Sequence, residues 1–158
     1  MRKPLTLSPV DALVIFQAER PWPAPRWWRI VRRLFPREFR HVLVLFYDPD
    51  GDAWCVLDPV YGGIQARALC ARRLTLQALL AQYPATHWAL VPRDRHLMPR
   101  IVRGPVTCVS VVKAVLGLGG RSWTPYQLWR QVTALPGVER GAVEGAPQAQ
   151  ASGGSQAA

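Results

Sequence analysis

The chain has 158 residues, 49% of them hydrophobic and seven of them Trp, and carries 20 basic side chains against 10 acidic ones. This apolar content excludes a wholly disordered polymer, and the length supports a core for one domain but not comfortably for two. Three cysteines without a CxxC spacing exclude a disulfide framework and a structural zinc site, so the expectation is a reducing compartment with no metal and no cofactor.

Eighteen of the 20 basic residues are Arg, which serves ordinary ion pairs as readily as phosphates, so the net charge of +10 argues only weakly for nucleic acid. The longest apolar run near the start, Ala12 to Phe16, is too short for a secretory segment, and no stretch reaches the roughly 18 apolar residues of a membrane span. A cytoplasmic protein without a membrane span is expected.

Taken in chain order, Ser8-Pro9-Val10-Asp11 reads as an N-cap, a first-turn proline and an acid, which predicts a short helix through Gln17. The β-branched pair Val14-Ile15 leaves a strand as the alternative. Residues 20–40 follow, where seven Arg face a single acid, Glu38, with three Trp and two Phe interleaved. Within that segment Trp27, Ile30, Val31 and Leu34 can share one helical face, with Arg29, Arg32 and Arg33 opposite. Asp48-Pro49-Asp50-Gly51-Asp52 then separates the apolar runs His41–Tyr47 and Ala53–Val60, a hairpin signal. Its aspartates suit a solvated turn better than a calcium loop, because Gly51 is misplaced for an EF-hand and the flanks are strands.

Ile64 to Leu69 alternates as a third strand of that sheet, and Thr75 caps a helix of Leu76, Leu79 and Leu80 that stops at Tyr83-Pro84. Thr86 to Val91 predicts another strand, and the basic loop from Arg93 to Arg103 ends in a brief strand at Ile101-Val102. A helix opening at Cys108 is closed by Gly117 and Gly119-Gly120. Thr124 and Gln127 form a capping box for a last helix through Leu128, Trp129 and Val132. Residues 1–138 therefore form a single α+β domain, an antiparallel sheet with packed helices. Residues 139–158 have no large apolar side chain to offset the entropy of ordering and are expected to be a disordered tail.

Cys108 and His41 are the candidate reactive pair. A thiol at a helix N-terminus feels the positive end of the helix dipole, and a neighbouring imidazolium lowers its pKa further, both favouring the nucleophilic thiolate. The bland alternative makes Cys108 a buried structural thiol, since Cys108, Val111 and Val115 share an apolar stripe. Cys55 and Cys70 read as core residues, His87 as a satisfied structural histidine, and His96 as a loop residue.

The order of these elements, namely the strand His41-Val42-Leu43-Val44, the hairpin to Trp54-Cys55-Val56-Leu57-Asp58-Pro59, and the helix Thr107-Cys108-Val109-Ser110-Val111-Val112-Lys113, resembles the circularly permuted branch of the papain-like NlpC/P60 superfamily. That resemblance covers about residues 38–133. It implies a permuted papain-like core in which Cys108 is the nucleophile, His41 the general base, and a third polar group on the next strand orients the imidazole. Asp58 is the candidate for that role. With Tyr47 opposite Ala53, however, the partner of His41 falls near Pro59, so Asp58 needs a register shift or bulge to face it. Backbone N–H groups at the helix start would form an oxyanion hole. The Asn-Cys-Glu signature of the permuted acyltransferases and their second strand histidine are absent from this chain.

Two functions follow from different classes. The first is a cysteine peptidase, amidase or acyltransferase acting on a peptide, peptidoglycan or acyl-containing substrate. The second is a non-catalytic basic binding or assembly protein, with Arg29, Arg32 and Arg33 facing an anionic partner such as nucleic acid or a phage-type structural component.

Overall fold

The computed structural model describes residues 11–18, 36–60, 63–69, 75–83, 85–92 and 106–143. They build a six-stranded sheet from β1 (Asp11–Gln17), β2 (His41–Asp48), β3 (Ala53–Val60), β4 (Gly63–Leu69), β5 (Ala85–Pro92) and β6 (Glu139–Ala142). Its order is β4-β3-β2-β1-β5-β6, and every neighbouring pair is antiparallel. Three helices accompany it: α1 (Leu76–Gln82), α2 (Cys108–Val115) and α3 (Pro125–Thr133). The molecule is thus α+β, in three layers.

Alternation along the strands assigns the layers. Ala12, Val14, Phe16, Val42, Val44, Ala89 and Val91 form one core with Val109 and Val112 of α2 and Leu128 and Val132 of α3. Leu13, Ile15, Leu43, Leu45, Trp54 and Val56 face the other way, against Leu76 and Leu79 of α1. Because both faces are covered, the central strands read as continuous apolar runs rather than as alternating ones.

This explains the first departure from the sequence reading. Residues 11–17 are the strand β1, not a helix, and Ala12 through Phe16 have no exposed surface at all. Helix-start signals at Ser8 and Pro9 are outweighed by burial between β2 and β5, which rewards the β-branched, two-sided apolar run. The second departure is at the other end. Residues 139–142, expected in a disordered tail, pair with β5 from His87↔Ala142 to Leu90↔Glu139. Backbone pairing at an open sheet edge needs no large side chain, and the small one at Gly141 is required, since a Cβ there would lie 2.8 Å from the Trp88 ring. The brief strand expected at Ile101-Val102 lies outside the described residues, as do positions 1–10 and 144–158 and the Arg29, Arg32 and Arg33 face.

The β2–β3 hairpin forms, but in a register one residue from the one expected. Asp48 pairs with Ala53, and pairing runs to Val44↔Leu57. The turn's own chemistry causes the shift. Asp50 N–H donates to Asp48 Oδ1 at 3.2 Å, the Tyr47 hydroxyl bonds Asp52, and Asp52 takes the left-handed conformation at φ 46°. Two-residue turns with Asp-Gly at their centre would give a tighter hairpin; here all of residues 49–52 are spent on the loop.

Candidate active site

That one-residue change decides which side chains can meet, because strand residues alternate faces and a single slip exchanges them. In the expected register Asp58 falls on the face opposite His41. Carried past Val44↔Leu57, the observed register sets Val60 across from His41 and Asp58 diagonal to it on the same face. The two side chains bond directly: His41 Nε2 lies 2.9 Å from Asp58 Oδ1. Both are buried, at 9% and 3% exposure.

Burial makes the bond informative. A polar group withdrawn from water costs free energy unless its partner is present, and charge-assisted bonds are about twice as strong as neutral ones. A carboxylate only accepts, so the His41 nitrogen that faces it carries a proton.

Cys108 is placed by the cap of α2. Thr107, extended at φ −122° and ψ 162°, accepts from the Ser110 N–H through its side chain at 3.1 Å, while Ser110 Oγ accepts from the Thr107 N–H at 2.8 Å. The helix therefore starts at Cys108, and α2 packs on β2 and β3. The residue is half-buried against the core that contains Val42, Val44 and Leu57. The apolar stripe it joins holds Val109, Val112, Val115 and Leu116, so Val111 is buried outside that core, unlike the stripe expected from the sequence.

Burial pushes the Cys108 thiol above its ordinary pKa, an effect that backbone N–H groups of Val42, Val109 and Cys108 itself oppose. The expectation of a thiolate favoured by the helix end is thereby corrected: desolvation, which penalises the charged form, outweighs the dipole. The Val42 N–H places the sulfur against the backbone at the start of β2, on the Val42 and Val44 side of the sheet that α2 covers, whereas alternation puts the His41 and Asp58 side chains on the other side with Leu43, Leu45, Trp54 and Val56. Two N–H groups of the first turn of α2 also point at it, the geometry in which developing negative charge is held.

The remaining candidates separate clearly. Cys55 is half-buried on β3, with its thiol pKa raised first by burial and then by Asp48. His87 is not satisfied by hydrogen bonds as expected. Its ring stacks on Phe39 at 4.6 Å and meets Trp129 edge-on at 5.2 Å, while its buried Nδ1 finds no hydrogen-bond partner among the described residues. Burial lowers its pKa, with Glu38 opposing. Cys70 and His96 lie outside the described residues.

One residue escaped the sequence reading altogether. The buried polar side chains among the described residues are Gln17, His41, Asp58 and Thr86. Three of these four stand on the adjacent strands β1, β2 and β3, with Gln17 directly opposite His41. Only a correct β1 assignment could have found Gln17, since its signal is register.

No protein-family model, no curated protein and no solved structure matches the chain. No helix among the described residues is long and apolar enough to cross a membrane.

Proposed function

We propose that this protein is a papain-like cysteine hydrolase or acyltransferase of the permuted NlpC/P60 type, cleaving an amide or ester bond through Cys108. The observation that carries the reading is the buried 2.9 Å bond between His41 Nε2 and Asp58 Oδ1 on β2 and β3, the strands on which the helix opening at Cys108 packs. A buried imidazole with one nitrogen committed to a carboxylate is costly to build for stability alone.

The mechanism requires the His41 ring, which lies beyond the last β2–β3 pair Val44↔Leu57, to turn past the strand edge toward α2, where its Nδ1 takes the proton of the Cys108 thiol as the sulfur attacks the acyl carbon. The C=O π bond opens, and its electron pair becomes an oxyanion held by the Cys108 N–H. When the oxyanion collapses, the imidazolium gives its proton to the departing amine or alcohol, leaving a thioester on Cys108. Water, or the hydroxyl or amine of an acceptor, then attacks the thioester, with His41 again taking and returning a proton. Asp58 holds the Nε2–H throughout and steadies the ring while it is cationic. Because the resting thiol is protonated, charge forms only as the proton passes to His41. Peptide, peptidoglycan and lipid acyl groups all present the carbonyl this chemistry needs.

Trapping the thioester tests the proposal. The full chain, mixed with p-nitrophenyl acetate and quenched in acid, is expected to gain one acetyl group on the Cys108 peptide by mass spectrometry, with none in Cys108→Ala and at least tenfold less in His41→Ala. Equal acetylation of Cys55, Cys70 and Cys108, unaffected by His41→Ala, would contradict it.

A further inference from the structure

Gln17 has three properties that mechanism does not use. It is a long amide with 1% exposure, and its Oε1 is buried with no hydrogen-bond partner among the described residues. Such an oxygen normally costs stability, and native proteins keep few of them. It faces His41 across the β1–β2 pair, where opposed side chains lie close enough to interact. And the chain fixes it in place: the β1–β5 register shifts between Phe16↔His87 and Gln17↔Ala85, the kind of irregularity that re-aims a side chain.

The surrounding bonds hold this kink. The Gln17 carbonyl accepts from the Arg40 N–H at 3.0 Å, and the Thr86 hydroxyl bonds the Phe16 carbonyl at 3.1 Å and that of Glu38 at 2.6 Å. His41 thus stands between a carboxylate on β3 and an amide on β1. A cationic ring attracts the negative end of the amide dipole more strongly than a neutral one.

We propose that Gln17 is a positioning residue for His41, its carboxamide dipole stabilising the imidazolium that forms when Cys108 gives up its proton. This rests on the Cys108–His41 reading above. This oxygen, without a hydrogen-bond partner among the described residues, is a preorganised electrostatic element that is used when positive charge develops on the ring. Gln17 touches neither substrate nor sulfur in this account.

The test is the pH dependence of iodoacetamide alkylation, read at the Cys108 peptide, for wild type, Gln17→Met, Gln17→Glu and His41→Ala, with melting temperature as the fold control. Gln17→Met keeps the side-chain length and removes the dipole. Its mid-pH alkylation rate is expected to fall about three- to tenfold, and its acid limb to move to lower pH, with melting temperature unchanged or raised because an unsatisfied oxygen is gone. Gln17→Glu is expected to move the acid limb to higher pH, since a carboxylate favours the cationic ring. If both Gln17 variants reproduce the wild-type profile while His41→Ala loses the acid limb, Gln17 has no such role and the Cys108–His41 pair stands. If His41→Ala also matches wild type, the pair itself falls, and the role of Gln17 with it.

Discussion

The two described histidines of this sheet stand on β2 and β5, strands separated by β1, yet their nitrogens meet opposite surroundings. His41, at the start of β2, bonds a buried carboxylate and lies beside the residue whose N–H reaches the Cys108 sulfur. His87, in β5, is packed between Phe39 and Trp129, and its buried Nδ1 has no hydrogen-bond partner among the described residues. Both are strand histidines with apolar neighbours in sequence. What distinguishes a candidate base from a packing ring is therefore not the strand but the partner on each nitrogen, and partners are set by register.

Substitutions at the two sites should separate them, and the largest effect falls on His41. His41→Ala is expected to lower the rate of esterase turnover about 10²- to 10⁴-fold, the usual contribution of a positioned general base, whereas His87→Phe should change it less than about twofold. Steady-state hydrolysis of p-nitrophenyl acetate measures both. Comparable losses in the two variants would erase the distinction. Next in size is Asp58. Asp58→Ala removes a charge-assisted hydrogen bond worth about 1.5–3 kcal/mol, and so should cost about ten- to a hundredfold in the same assay. Asp58→Asn, whose amide oxygen still accepts the Nε2–H, should cost less than Asp58→Ala. The reverse order would mean that the carboxylate does not orient the ring.

The smallest effect is on stability. The folded chain holds His87 neutral, with its pKa lowered from 6.5 by burial, so the unfolded chain binds the proton more readily. Stability contributed by His87 is present above about pH 6.5 and is lost as pH falls through the lower folded value. Melting curves between pH 7 and 4 should show a shallower acid decline for His87→Phe than for wild type. That variant should also match or exceed wild-type stability at pH 7, because the unpaired Nδ1 is removed. For Cys108 the sign is opposite: burial raises its thiol pKa, so its contribution is present below the ordinary thiol value of 9.0 and is lost as pH rises through the raised folded pKa.

Much of this arrangement was legible from residues alone, and the exceptions have physical causes. Local signals were reliable where local chemistry decides: Thr75 and Thr124 cap α1 and α3, α2 opens at Cys108, and the Asp-rich turn joins β2 to β3. They failed for β1, because a strand buried on both faces loses its alternation, and for β6, because edge pairing uses the backbone. The site was half legible. His41, Asp58 and Cys108 could be named from residue type and element order, but whether Asp58 faces His41 turned on one residue of register, fixed by the Asp48 and Asp52 contacts in the turn. Gln17 could not be named at all, since its only distinction is the residue that stands opposite.

The central claim is that His41 serves as the base for Cys108. Iodoacetamide alkylation followed at the Cys108 peptide from pH 4 to 10 tests it most directly. Wild type is expected to react along a limb that begins below the ordinary thiol range of about 8.5 and disappears in His41→Ala, which keeps only a limb above that range. Superimposed profiles for the two proteins, both rising only above that thiol range, would contradict it.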